Sequence, residues 1–333
     1  MEKSVKKTDK KPLGVVESLS SGFELIWQNP WILLVPISLD LFLWLGPQIN
    51  VKPLFQQALV LLDLSVPANT PADTMQNIEV LREILQTSGD STNIFGVLAA
   101  GMPSVIGLQP PAAVTARAMF VVSNSVVLLG LIALFGLIGV LIMSGYLEMT
   151  ARPVRNDTDA RTFPARWLRS FVDLILLAIL VAVGLFALMI PVTIVAGALS
   201  IASQGLGSFL LLGGTMLIFW AMLYLAFAVP AVFISRANAP QALFNSISVF
   251  RFDFWPAIGL VFIVYLVRSG FTFVWQFFED NTWGVVFDVI ANAFISSGLI
   301  AATMIFYNDR IHWLTVVREQ RQRMKAEGQQ QKG

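Results

Sequence analysis

Asp40, Arg268 and Asp288 each lie inside a long apolar run, with Asn292 one helical turn beyond Asp288 on the same face. A charge left facing hydrocarbon costs about 2.5 to 3.5 kcal/mol. The three must therefore turn inward, pair, or line a polar cavity. At 1.5 Å per residue, Arg268 sits about 18 Å from the start of its run and Asp40 about 14 Å from the start of its own, an offset that a long Arg side chain can bridge. Asn292 falls at nearly the depth of Arg268, with Asp288 one turn to one side and Ser296 one turn to the other. Arg268, Asp288, Asn292 and Asp40 together form the candidate intramembrane polar cluster. Such a cluster serves either as a structural ion pair or hydrogen-bond staple, or as a site for an anionic ligand or a coupled proton.

Other chemistry fails on inventory. The single histidine, His312, stands beside Arg310 and Trp313 just past the last apolar run, a position for a solvated interfacial side chain. A Ser-His-Asp site within the bundle and a His-based zinc site are thereby excluded. Cysteine is absent, which removes disulfides, thiolate metal sites and a cysteine nucleophile. No Gly-rich phosphate loop ending in Lys and Ser/Thr occurs, and Gly205-Leu206-Gly207-Ser208 reads as a tight turn. The expectation is a non-enzyme with no catalytic residue, cofactor or metal.

The elements that position these residues are transmembrane helices. The chain of 333 residues is 56% hydrophobic and 13% charged, about half the charge of an average soluble domain. Spans are expected at Trp31 to Ile49, Ser125 to Met149, Asp173 to Ser200, Leu206 to Ile234, Pro256 to Phe278 and Trp283 to Tyr307. With the amino terminus inside, 18 of the 22 Lys and Arg residues fall in inner segments, three (Lys52, Arg82, Arg117) fall outside and Arg268 lies within a span. The positive-inside rule then places both termini in the cytoplasm, and the Lys-rich arm Met1 to Leu13 is expected to be retained rather than cleaved. Trp27, Trp31, Trp44, Trp167, Trp255, Trp275, Trp283 and Trp313 sit near span ends, at headgroup level. Trp220 alone is mid-span, where a ring that fills a helix contact is the expected role.

Each odd-numbered span follows an amphipathic stretch. Val16, Leu19, Phe23, Ile26 and Trp27 precede the first, Phe163, Trp167, Leu168 and Phe171 the third, and Leu243, Ile247, Phe250 and Phe254 the fifth. These predict helices on the inner interface and suggest a threefold unit of interfacial helix, outward span and inward span. In an ungapped alignment of Glu17 to Leu34 with Gln241 to Ile258, Leu19 meets Leu243 and Trp31 meets Trp255; any hairpin entered from inside would give a similar pattern. In the sixth span, Ala293, Ser297 and Ala301 form a small-residue row suited to a central position. Pro36, Pro191 and Pro230 free backbone carbonyls inside spans, which neighbours or water must satisfy.

The connection Asn50 to Asn124 is too long to be structureless. Met75, Ile78, Leu81 and Leu85 make a helical stripe in it, and Ile94 to Leu108 is apolar but broken by Gly96, Gly101, Met102-Pro103 and Gly107. An outer cap is expected, its apolar face packing on the bundle, dipping into the bilayer or docking a partner. The tail after the last span keeps its helical period through Ile311, Leu314 and Val317 and carries Arg318, Arg321, Arg323 and Lys325.

The expected organisation is a basic arm at 1–14, an interfacial helix and first span at 15–49, an extracytoplasmic cap at 50–124, the second span at 125–149, a cytoplasmic loop with the third and fourth spans at 150–234, an interfacial helix with the last two spans at 235–307, and a basic tail at 308–333. The fold class is all-α, an integral membrane bundle of about six transmembrane helices with interfacial amphipathic helices and a helical cap. Asn29-Pro30-Trp31 through Pro36, Asp40 and Trp44-Leu45-Gly46-Pro47, and Ala239-Pro240-Gln241-Ala242-Leu243 through Ser246 to Phe254-Trp255, resemble uncharacterised bacterial multi-pass proteins similar to the membrane domain ahead of some glycerophosphodiester phosphodiesterases. The resemblance implies a six-helix bundle in a bacterial cytoplasmic membrane with no assigned reaction, and no phosphodiesterase activity is carried over. Two functions follow. One is a non-enzymatic accessory or scaffold protein, with membrane lipids and other membrane proteins, but not nucleic acid, as partners. The other is a permease-like or lipid-handling protein with a midplane polar site.

Overall fold

The computed structural model describes residues 12–67, 72–104, 118–157, 159–275 and 282–330. In chain order these form α1 (Val15–Gln28), α2 (Leu34–Leu45), β1 (Gln48–Asn50), α3 (Lys52–Ser65), α4 (Ala72–Ser91), β2 (Met119–Val121), α5 (Ser125–Val154), α6 (Phe163–Ala202), α7 (Gln204–Leu225), α8 (Ala228–Ile234), α9 (Ala239–Phe252), α10 (Phe254–Trp275) and α11 (Thr282–Gln330). Among the described residues, five stretches are long and apolar enough to cross a membrane: Ser125–Val154, Phe163–Ile201, Gln204–Ile234, Phe254–Phe271 and Thr282–Gln320. Val15–Gln28 with Pro30–Leu45 qualifies as a sixth only if this bent pair is taken together. The protein is an all-α multi-pass membrane protein. The chain divides into two compact units, Met1–Ile32 with Ser144–Ser269 and Ile295–Gly333, and Leu33–Met143 with Gly270–Phe294.

Among the five spanning stretches the best covered is that of α11, which contributes to both units. Its spanning window is 56% buried, against 6% for those of α5 and α6. Ala293, Ser297 and Ala301, the small row noted in the sequence, are all fully buried. Beside that row α1 lies so close that a Cβ on Gly22 would fall 2.5 Å from the Ala302 nitrogen and the Gly298 carbonyl. Lipid tails supply no hydrophobic drive between helices, so such backbone proximity is how two of them gain contact. The α6–α7 hairpin uses the same means, with Gly207 against Ala196 and Ser200 and Gly214 against Val192. Its turn is made by extended Ser203 alone, so Gly205 to Ser208 belong to the first turns of α7, a correction to the expected loop. Trp220 stacks on Phe254 with centroids 6.3 Å apart.

Pro230 breaks the fourth span between α7 and α8, because it lacks the N–H that would bond the Ala226 carbonyl four residues back. Ser246 of α9 repairs the gap. Its hydroxyl donates to the Tyr224 carbonyl at 2.7 Å and accepts from the Phe227 amide at 3.1 Å.

Two of the three expected interfacial helices are separate elements, and the third is not: Phe163 continues without a break into a 40-residue α6. The breaks after α1 and α9 are made by Asn29 (φ −129°, ψ 58°) and Asp253 (φ −136°, ψ 64°), polar residues that leave the helical region at equivalent places. These residues coincide in the ungapped sequence alignment, and so do the buried pairs Ser18 and Ala242, Gly22 and Ser246, and Ile26 and Phe250. The repeat is therefore twofold in these elements. The tail expected to be helical is so, as α11 runs 49 residues to Gln330.

In the second unit the first expected span is shorter than Trp31 to Ile49. Helix α2 stops at Leu45, and Gly46-Pro47 releases the chain into β1, which pairs in parallel with β2 at Gln48 with Met119 and Asn50 with Val121. The long connection folds as the α3–α4 hairpin. Ile49, Val51 and Ile94 form a buried cluster with Leu54, Phe55, Phe95 and Val122, and this cluster rests on Leu128, Leu131 and Phe135 of α5.

Candidate functional site

The four sequence-selected residues meet different surroundings. Asp40 on α2 is buried, and its carboxylate accepts a hydrogen bond from the Ser104 hydroxyl. Asp288 on α11 is fully buried and Asn292, one turn on, partly so. Arg268 is exposed on α10 instead of enclosed. It lies about 10 Å from the Trp275 end of the helix, within reach of the headgroup level for a guanidinium on its apolar stem. Arg268 belongs to the first unit and the other three to the second.

Ser104 ends the apolar segment of the long connection, for which packing on the bundle, dipping into the bilayer and docking a partner are the expected roles. The segment begins at Asn93, whose Oδ1 accepts from the backbone amides of Ile49 (3.1 Å) and Phe95 (3.2 Å). A 3₁₀ turn, Ile94–Ala99, then descends along α5. A Cβ on Gly139 would lie 2.8 Å from the Leu98 carbonyl, and one on Gly101, which adopts φ +83°, 2.7 Å from the Met143 sulfur. Gly139 is about 21 Å and Met143 about 27 Å along α5 from Ser125, against a hydrocarbon thickness of about 30 Å. This part of the connection therefore packs along the spanning stretch of α5. Irregular backbone at that depth survives only when protein covers it; here Ile94, Leu98, Ala99, Met102 and Pro103 are all buried.

The densest polar chemistry lies in the first unit and was not singled out from sequence. Arg310 on α11 is only 2% exposed. Its Nε donates to Asp253 at 2.6 Å, one terminal nitrogen to Asp309 at 2.5 Å, and the other to the Leu13 carbonyl at 2.7 Å. The guanidinium carbon lies 4.3 Å from the centre of the Phe306 ring, and Asp309 also accepts from the Leu13 amide at 3.0 Å. One side chain thus ties the entry to α1, the α9–α10 break and α11. A helical signal pointed to it: Leu299, Ala302, Phe306, Arg310 and Leu314 continue one buried row.

A second network joins α5, α6 and α8. Arg155 binds buried Glu148, with one terminal nitrogen 2.5 Å from Oε1, and donates to the Phe233 carbonyl, one of the last carbonyls of α8 that the helix leaves without a partner. Asp157 receives Arg166, Arg236 at 3.2 Å and Arg155 at 3.8 Å. Burial alone would raise the Asp157 carboxyl, but the Asp159 amide and the Arg166 and Arg155 guanidiniums outweigh it and hold it below the usual carboxylate range. Among the described residues, the non-glycine residues with positive φ are Asn156 and Arg236, both at 53° and both flanking this network. Glu148, Arg166, Arg169, Ser170, Asp173, Val232 and Arg236 line a pocket there. Comparison of the chain with protein-family models, with curated proteins and with solved structures finds no match.

Proposed function

We propose that the chain is a non-enzymatic accessory or scaffold protein of a bacterial cytoplasmic membrane, with both termini in the cytoplasm. The observation that carries this reading is the use made of buried charge. Arg310 joins α11 to the α9–α10 break and to the entry of α1, and Arg155 joins Glu148 to the end of α8, so that each buried charge is matched to protein partners as a structural tie is. The 18 to 3 distribution of Lys and Arg supports the orientation. Cysteines at Glu83 and Arg161, both exposed, label from opposite sides of intact cells under this orientation; labelling of both from one side contradicts it.

The permease-like or lipid-handling reading keeps one observation in its favour. The irregular backbone of Asn93 to Ser104 ends on Asp40, and irregular backbone meeting an ionisable group among membrane helices is a recurrent feature of transport sites. Extraction in mild detergent at native abundance separates the two. The scaffold reading expects stoichiometric membrane-protein partners. A chain that runs alone, and that moves solute or lipid in proteoliposomes until Asp40→Asn stops it, supports the permease instead.

A further inference from the structure

We infer that the pocket between α5, α6 and the end of α8 binds one phosphate group, carried by an anionic lipid headgroup or present as the free anion. Its height suits a headgroup. Glu148 is about 35 Å along α5 from Ser125, just beyond one hydrocarbon thickness. Phe163 and Trp167, stacked with centroids 6.2 Å apart, and the Arg152 guanidinium 5.8 Å from the Phe163 ring mark the same level on α6.

The charge suits an anion. The charged groups lining the pocket are Glu148 from α5, Arg166, Arg169 and Asp173 from α6, and Arg236 from the exit of α8, and Arg155 and Asp157 from the α5 exit and the following loop pair with them. Four guanidiniums meet three carboxylates, leaving one positive charge over. Two of the carboxylates are committed: Glu148 to Arg155 at 2.5 Å, and Asp157 to Arg166 and Arg236. Asp173 holds Arg169 only loosely, with Nε 3.7 Å away, and the Arg169 side chain is 72% exposed. A planar guanidinium placed in this way can meet two phosphate oxygens at once, and the Ser170 hydroxyl lining the same pocket supplies another donor. Basic pockets between transmembrane helices at the interface are where anionic headgroups dock.

Arg236 adds a backbone observation. It follows the last turn of α8 in a left-handed conformation, where glycine is the usual residue and a branched-off side chain is strained. The strain is sustained by a side chain that reaches Asp157 and the pocket wall.

Purified protein in neutral detergent is titrated separately with phosphatidylglycerol, phosphatidylcholine and inorganic phosphate, with binding read by native mass spectrometry and thermal shift. Phosphatidylglycerol is expected to bind one per chain and raise the melting temperature, and phosphatidylcholine is not. Arg169→Gln, which leaves the Arg155–Glu148 and Arg166–Asp157 pairs in place, is expected to weaken binding about tenfold, the loss typical of one charge-assisted contact. Arg318→Gln on the exposed tail controls for general surface charge and leaves binding unchanged. Competition by millimolar phosphate, or a shift from phosphate alone, identifies the free anion as a ligand; a response confined to the lipid identifies the headgroup. Absence of binding by both, or equal losses from Arg169→Gln and Arg318→Gln, overturns the proposal.

Discussion

The two units of this protein are held together by different chemistry. In the first, an arginine inside α11 and one at the exit of α5 close the structure: Arg310 ties Leu13, Asp253 and Asp309, and Arg155 ties Glu148 and the Phe233 carbonyl. In the second, an apolar cluster around Ile49, Val51 and Ile94 does so, with the neutral Asn93 amide holding two backbone N–H groups. The basic residues that sequence reasoning uses to set orientation are thus also buried structural ties in the first unit, whereas in the second Arg82 joins Asp63 of α3 to α4 only at the surface. In the other, the long connection closes on itself and on α5 much as a small soluble core would.

The comparison breaks most visibly at Arg310. Arg310→Leu leaves Asp253 and Asp309 without their shared cation and is expected to cost about 3 to 5 kcal/mol, read as loss of the folded protein on detergent size-exclusion or a steep drop in melting temperature. Gly22→Leu comes next. It forces side-chain atoms into the backbone of Ala302 and Gly298, and overpacking of this kind costs about 1 to 3 kcal/mol or more. Gly184→Ala, with nothing near its would-be Cβ, leaves the melting temperature unchanged or slightly raised. In the second unit, Asn93→Ala removes the acceptor for Ile49 and Phe95 and is expected to cost about 1 to 2 kcal/mol, seen as faster proteolysis of the 46–104 region with the first unit retained.

The smallest effect is a pH dependence confined to the first unit. Asp157 has its carboxyl lowered in the folded protein, so its contribution is complete above the unfolded value of about 3.9 and is lost as pH falls through the lower folded value. Melting temperature should fall on acidification below about pH 4, and Asp157→Asn should flatten that part of the profile. An equally steep profile in the variant would assign the acid sensitivity to other carboxylates.

Much of this architecture was legible in residue spacing. The apolar runs located five of the six expected spans, the Ala293, Ser297 and Ala301 row marked the best-covered stretch, and the period through Ile311, Leu314 and Val317 carried the helix into the tail. The repeat between α1 and α9 was visible in the alignment of Leu19 with Leu243 and Trp31 with Trp255, and gains weight from the matching breaks at Asn29 and Asp253. What escaped depended on pairing between distant residues. Periodicity describes one helix at a time, so it could not bring Arg310 to Asp253 or Leu13, nor β1 to β2 across the whole long connection. It also could not distinguish a cap from a segment that folds back along α5, because Ile94 to Ser104 is apolar in either case. Within the candidate polar cluster, Asp40 and Asp288 are buried as the cost of charge in lipid requires, whereas Arg268 is exposed on α10 at a distance from the helix end that its long stem can span.

The central claim is that buried charge in the first unit joins helices rather than performing chemistry, and a double-mutant cycle on Arg310 and Asp253 tests it most directly. Unfolding in detergent is measured for Arg310→Leu, Asp253→Leu and the pair. A structural tie predicts that Arg310→Leu is strongly destabilising and that the double variant recovers part of the loss, giving a coupling of about 0.5 to 3 kcal/mol. Strictly additive losses would contradict the account, and would mean that Arg310 is held for something other than its partner.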